Sequence, residues 1–163
     1  MIPRLLLTLI LFISLTASLQ AKELTGQVLW VYDGDTLKIE KIGKVRLLGI
    51  DTPENQASSR DRFYTKNFHI DEKKLRKTAQ QAKKYNIHHI KGKRVKLELD
   101  QTQRDKHGRL LAYVYLPNGE MLNLLLLENG LATVFRRYDF QYKKDFLKTE
   151  RKARKNERGL WEQ

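Results

Sequence analysis

Between Leu24 and Pro53 turn chemistry interrupts the chain so often that only short, consecutive strands fit. Leu24 to Tyr32 reads as a strand closed by the turn sequence Asp33-Gly34-Asp35. Thr36 to Glu40 alternates as a second strand, Lys41 to Lys44 turns, and Val45 to Ile50 forms a third. The Asp-Gly and Ile-Gly dipeptides at these breaks are hairpin chemistry. Pro53 ends the third strand, because it has no amide hydrogen to give to a ladder.

Beyond Pro53 the rhythm changes. Asn55 to Ile70 is polar and weakly periodic, and is predicted to be an exposed loop. Asp71 to Tyr85 carries helix formers, with Leu75, Ala79 and Ala82 at helical spacing. Arg94 to Leu99 and Leu110 to Leu116 alternate as two further strands, and Pro117-Asn118-Gly119 turns the chain after the second. Met121 to Asn129 is an apolar helix stopped by Gly130, Leu131 to Phe135 a short extended piece, and Tyr138 to Glu157 a long charged helix. Trp30 and Trp161 read as packing residues, and His88 and His89 as exposed loop histidines. About five short strands with interleaved helices, no βαβ rhythm and no internal repeat imply an α+β domain around a small closed sheet. A five-stranded OB-type β-barrel fits that pattern best.

A sequence of 163 residues is long enough for one self-sufficient core, and with no cysteine it forms neither disulfides nor thiolate metal sites. The first residues address export. Arg4 supplies a positive charge, Leu5 to Leu15 a nearly continuous apolar run, and Thr16 to Ala21 a small and polar stretch. This is the layout of a secretory signal peptide cut after Ala21, leaving residues 22–163 as the folded domain of an exported, periplasmic or secreted protein. The apolar run is short for the ~20 residues that span a bilayer, so membrane contact is expected only through an uncleaved leader. Residues 22–163 keep 31 basic against 19 acidic side chains, a formal charge of +12. That excess favours an acidic polymer such as nucleic acid, or an anionic surface.

Two segments concentrate unusual residues: Asp33-Gly34-Asp35-Thr36, and the run from Arg46 to Glu54 with Asp51-Thr52-Pro53-Glu54 at its end. For Asp33, closing the turn and acting in chemistry are equally good readings. A hairpin brings Asp35 and Asp51 together, and two hard oxygen donors at one point suit Ca²⁺ or Mg²⁺. Arg46, among Leu47, Leu48 and Ile50, fits a snorkelling edge residue as well as an active one. Arg109 closes the charged turn that begins at Asp105. Phosphodiester cleavage requires cationic donors for the non-bridging oxygens, a metal acting as Lewis acid, and a carboxylate to orient or deprotonate water. Arginine provides planar, permanently charged, bidentate donors. Arg46, Arg109, Asp35, Asp51 and Glu54 together meet these requirements.

The blocks Val31-Tyr-Asp-Gly-Asp-Thr36, Arg46-Leu-Leu-Gly-Ile-Asp-Thr-Pro-Glu54 and Asp105-Lys-His-Gly-Arg-Leu-Leu-Ala-Tyr113 resemble the three signature blocks of the staphylococcal nuclease (thermonuclease) family. Gly130-Leu-Ala132 and Gly159-Leu-Trp161 match its later landmarks, so the resemblance runs from Gly26 to Trp161. It implies an OB-type barrel with about three helices. By resemblance, Asp35 and Asp51 are side-chain Ca²⁺ ligands, joined by the main-chain carbonyl of Thr52. Glu54 is implied as the group acting on the attacking water, and Arg46 and Arg109 as the groups holding the scissile phosphate. The implied reaction is hydrolysis of DNA and RNA on the 5′-oxygen side, leaving 3′-phosphate ends. A monomer is expected, with no obligatory protein partner evident in the sequence. A barrel that only binds nucleic acid is the alternative. Lys106, His107 and Tyr138 are the candidate substrate contacts. His107 stands where the family has a tyrosine, and Arg136 replaces a second one.

Overall fold

The first three strands pair in the order in which they are written. In a computed structural model that describes residues 24–162, β1 (Leu24–Val31) pairs antiparallel with β2 (Thr36–Ile39), and β2 with β3 (Gly43–Leu47). The leader expected over residues 1–21 lies outside the described residues. Short β4 (Ile50–Asp51) follows, and β5 (Arg94–Glu98) and β6 (Leu110–Tyr115) complete a closed barrel in the order β1-β2-β3-β6-β5. The β3–β6 pairing is parallel and the other four are antiparallel. Alternation sets the inside: Val28, Leu37, Ile39, Val45, Leu47, Val95, Leu97, Ala112 and Val114 are buried in one core. This is the five-stranded OB-type barrel expected.

The third predicted strand is split. Leu48-Gly49 turns the chain, and Asp51 at the end of β4 pairs with Thr133 of β7 (Thr133–Val134). Gly49 has φ +80°, and a Cβ there would lie 2.6 Å from the Phe140 ring. Only glycine meets both conditions without strain. The break redirects the backbone so that Asp51 leaves the barrel wall.

Four helices are present among the described residues rather than about three. The extra one, α1 (Asp61–Phe68), occupies the segment predicted as an exposed loop. Its Tyr64 is fully buried, and its Phe63 and Phe68 rings meet edge to face at 5.4 Å. One apolar patch on a two-turn helix is too short to establish a period, which is why the sequence hid it. Next, α2 (Glu72–Ile90) starts from Asp71, whose side chain accepts from the Lys74 amide, and continues past the expected end. His88 and His89 therefore stand in its last turn, not in a loop, with the His89 ring stacked on Tyr85 at 3.9 Å. Apolar α3 (Leu122–Glu128) covers one end of the barrel with Leu122, Leu126 and Leu127. Its buried Asn123 donates to the Leu48 carbonyl at 2.9 Å and accepts from the Val114 amide at 3.0 Å, fixing the chain where β3 is interrupted. The charged helix α4 (Lys143–Lys155) begins later than expected. Upstream, Gln141 donates its amide to Asp100 and the Tyr142 hydroxyl donates to Glu98, so that stretch is tied to the barrel instead.

The two tryptophans behave differently. Trp161 packs on Phe68 as expected, with the Arg154 guanidinium close to both rings. Trp30 is 50% exposed and does not pack in the core. The register slips between Val28 and Trp30, so Leu29 and Trp30 both face outward. Among the described residues no helix is long and apolar enough to cross a membrane.

Candidate active site

The Asp33-Gly34-Asp35 hairpin sits directly under α2. Asn86 donates its side-chain amide to the Gly34 carbonyl at 2.8 Å, and a Cβ on Gly34 would come within 2.7 Å of both Ala82 and Thr52. The hairpin is therefore clamped by close approach that only glycine permits. Asp33 takes the turn role: its Oδ1 accepts the Asp35 amide at 3.0 Å.

Asp35 is buried at 3% exposure. Its Oδ1 accepts from Arg46 Nη1 at 2.6 Å and Thr36 Oγ1 at 3.1 Å, and its Oδ2 from the Thr52 amide at 3.0 Å and Thr52 Oγ1 at 3.2 Å. Arg46 reaches Asp51 Oδ1 with Nη2 at 3.0 Å, so one guanidinium spans both carboxylates. Pairing of Thr36 with Arg46 across β2–β3, and the turn into β4, bring these groups together. Arg46 is thus no mere snorkelling edge residue.

Asp51 has a second set of donors that the sequence did not disclose. Arg60 gives Nη2 at 2.7 Å and Nε at 3.1 Å to Oδ2, and the Tyr64 hydroxyl adds a bond at 2.9 Å. Both residues lie at α1 or its edge, in the segment taken for a loop, and nothing local marks them.

Arg109 is aimed by Asp105. The carboxylate accepts the Arg109 amide at 3.0 Å and Nε at 2.8 Å, and pairs with Nη2 at 2.7 Å. Arg109 Nη1 then reaches Thr36 Oγ1 at 3.4 Å, next to Asp35. Burial works against the Asp105 charge, yet the hydrogen bonds from Arg109 hold its pKa below the ordinary value. Exposed Lys106 and His107 crown the same turn.

Carboxylate charge is crowded here. Burial pushes Asp35 up from 3.8 to about 7, with Asp33 and Asp51 adding to the rise and Arg46 opposing it. Burial also disfavours the Arg46 charge, but Asp35 and Asp51 outweigh it and raise the arginine pKa. Glu54, exposed at the rim, is lifted above its usual range by partial burial and then by Asp33 and Asp51, against Arg46 and Arg109. All these groups sense one another's fields, so they form one electrostatic unit.

Among the described residues there is no group of three or more His, Asp or Glu arranged to hold a metal ion. The donors available to a cation are Asp35 and Asp51, with the Thr52 carbonyl. Asp35 and Asp51 are both buried, and hard oxygen donors of this kind fit Ca²⁺ or Mg²⁺ chemistry.

Tyr138 is 62% exposed, its ring centroid 5.7 Å from Phe135, which in turn lies 5.8 Å from the Arg60 guanidinium. That chain of contacts links Tyr138 to the Asp51 side of the site. Arg136, standing where the family has a second tyrosine, is exposed, yet its guanidinium reaches back to the protein. It pairs with Glu150, which is 1% exposed and also bonds Arg154 and the Val134 amide. Arg136 is a structural ion-pair partner and is not free to stack on a base.

A sequence profile described as "Staphylococcal nuclease homologue" matches residues 44–163. The chain is 31% identical over 145 residues to the thermonuclease of Staphylococcus hyicus, covering 86% of this chain and 78% of that protein. It is 37% identical over 147 residues to an uncharacterized protein of Methanocaldococcus jannaschii, covering 83% of this chain and 70% of the relative. To endonuclease YncB of Bacillus subtilis it is 33% identical over 135 residues, 79% of this chain and 57% of that protein.

Proposed function

Because this chain belongs to the staphylococcal nuclease family and is a nuclease of that type, we propose that it is an exported, Ca²⁺-dependent enzyme hydrolysing phosphodiester bonds of DNA and RNA on the 5′-oxygen side, leaving 3′-phosphate ends. The observation that supports this reading is the meeting of Arg46, Asp35, Asp51, Glu54 and Arg109 around one small volume.

Asp35, Asp51 and the Thr52 carbonyl would hold the cation, which when bound supplies Lewis-acid polarisation of a phosphate oxygen. Arg46 and Arg109 bind the non-bridging oxygens and stabilise the charge that builds up as water adds to phosphorus. Asp105 holds Arg109 at the angle this needs, and Thr36 marks where its tip arrives. Glu54 takes the proton of the attacking water. Its raised pKa makes it a stronger base than an ordinary glutamate, and no hydrogen bond among the described residues ties up its carboxylate. The P–O5′ bond breaks, the departing O5′ takes a proton from solvent water while Glu54 releases the one it gained, and the two ends separate as 5′-hydroxyl and 3′-phosphate.

Export rests on the leader layout of residues 1–21. The test is digestion of single-stranded DNA and of RNA by the 22–163 chain across a Ca²⁺ titration, with a chelator control and end-group analysis. Cleavage that stops with chelator and leaves 3′-phosphate is expected. A folded protein that cuts neither polymer at any Ca²⁺ concentration sinks the reading and leaves a barrel that only binds.

A further inference from the structure

An exposed tryptophan near the end of a strand, flanked by lysines without ion-pair partners among the described residues, calls for a partner. Trp30 pairs with Lys38 across β1–β2, and Lys38 pairs with Lys44 across β2–β3. All three are exposed on the outer wall of the barrel and neighbour one another at about 5 Å between strands. Lys91, at the end of α2, holds its ammonium 4.8 Å from the Trp30 ring centroid. Lys44 does the same over Tyr32, also at 4.8 Å. Lys91, Trp30, Tyr32, Lys38 and Lys44 thus form one continuous patch across the outer faces of β1, β2 and β3. No carboxylate lies within ion-pair distance of Lys38, Lys44 or Lys91 among the described residues, and two lysines directly opposite one another repel.

This strip is the next row to the catalytic one. Thr36 and Lys38 share a face of β2, and Arg46 and Lys44 share a face of β3, so the Thr36–Arg46 pair lies only ~7 Å along the strands from the Lys38–Lys44 pair. Tyr32 leads straight into the Asp33 turn. Alternating aromatic faces and ammonium groups match a single strand, whose bases stack while its phosphates meet cations.

We propose that Trp30, Tyr32, Lys38, Lys44 and Lys91 form an extended binding track for the single-stranded polynucleotide flanking the scissile phosphate. The track makes long strands better ligands than short ones. It rests on the nucleic-acid substrate proposed above. Because Trp30 stacks on unpaired bases, single strands are favoured over duplex of equal length.

The experiment follows Trp30 fluorescence in the W161F protein, with chelator present, during titration with a single strand longer than the ~16 nucleotides an OB barrel covers, with the matching duplex, and with a dinucleotide. The expected result is quenching by the long single strand, about tenfold or more tighter than by the dinucleotide. Trp30→Ala in the full chain weakens long-strand binding by about tenfold, read by anisotropy. Lys38→Gln lowers the salt slope of binding by about one. Equal affinity of Trp30→Ala and wild type for the long strand, an unchanged slope for Lys38→Gln, or equal quenching by duplex and single strand overturns the track. If wild type digests DNA while these variants bind as wild type does, the track fails and the nuclease reading stands. If wild type cuts nothing, yet long-strand binding depends on Trp30 and Lys38, the track stands and the hydrolytic reading fails.

Discussion

Arg46 holds Asp35 with one terminal nitrogen at 2.6 Å and Asp51 with the other at 3.0 Å, so a single guanidinium bridges a carboxylate of the β1–β2 turn and one at the end of β4. The same fork is the group proposed to hold the phosphate. Arg46→Ala removes that clamp and leaves two buried carboxylates without their shared cation. Turnover is expected to fall by at least ~10²-fold, the scale of losing one transition-state donor. Arg46→Lys is expected to rescue little of it, because an ammonium cannot span both partners. Steady-state kinetics on single-stranded DNA check both variants, and a lysine variant of near wild-type rate would show that the fork is not needed.

Glu54 offers a cleaner separation of activity from stability. It is exposed and free of hydrogen bonds among the described residues, so Glu54→Gln should leave the melting temperature within a degree or two. Its rate should drop by ~10²–10⁴-fold, as removal of a general base does. Thermal melts beside a rate assay decide this, and a variant that retains most of its rate excludes Glu54 as the base.

For Asp35 the pH dependence has a definite sign. Its folded pKa, about 7, lies above the ordinary 3.8, so the folded state keeps a proton that the unfolded chain has released. This contribution is fully present below the unfolded value and is lost as pH rises through 7. Metal-free protein should therefore lose stability, by at most a few kcal/mol, between about pH 4 and pH 7. Asp35→Asn should flatten that slope, and Ca²⁺ should offset it in the wild type. Melting temperatures against pH with chelator, in both proteins, supply the check; parallel curves would assign the slope elsewhere.

Asp100 works in the opposite direction. It accepts from the Tyr113 hydroxyl at 2.7 Å and the Gln141 amide at 2.8 Å, and despite burial these bonds hold its pKa low. Its stabilisation is present above the unfolded carboxylate value and lost as pH falls through the lower folded one. Asp100→Ala is expected to cost about 1–3 kcal/mol at neutral pH. The cost should shrink in acid, as denaturant unfolding at two pH values would reveal.

Arg136 and Tyr138 should separate cleanly. Arg136→Ala leaves buried Glu150 with one cation fewer and should destabilise by about 1–3 kcal/mol, the scale of losing a charge-assisted hydrogen bond. Tyr138→Ala, on an exposed ring, should leave stability alone and raise KM for nucleotide substrates. A KM effect from Arg136→Ala equal to that from Tyr138→Ala would mean Arg136 leaves Glu150 to meet the base.

Much of this is legible in the sequence. The Asp-Gly turn, Pro53 and the alternating runs mark β1, β2, β5 and β6 because strand periodicity and turn chemistry are local properties. The ordered blocks carry Asp35, Arg46, Asp51, Glu54 and Arg109. What stayed hidden depended on distant partners. Gly49 looked like one residue in a continuous strand, until Phe140 closed against it from elsewhere in the chain. Arg60 and Tyr64 looked like loop residues, although their side chains end on Asp51. Arg136 stands where the family has a tyrosine, yet buried Glu150 holds it.

The sequence alone determined the barrel's strand elements, its basic charge, and the residue types able to carry phosphodiester chemistry. Each of these follows from near neighbours or from composition. Only the tertiary structure decided that Arg46 bridges Asp35 and Asp51, that a short helix delivers Arg60 to the same carboxylate, and that Trp30 faces solvent beside Lys38 rather than filling the core. The physical reason is shared: burial, carboxylate crowding and cross-strand register arise when segments far apart in the chain come into contact, and no local pattern encodes that contact.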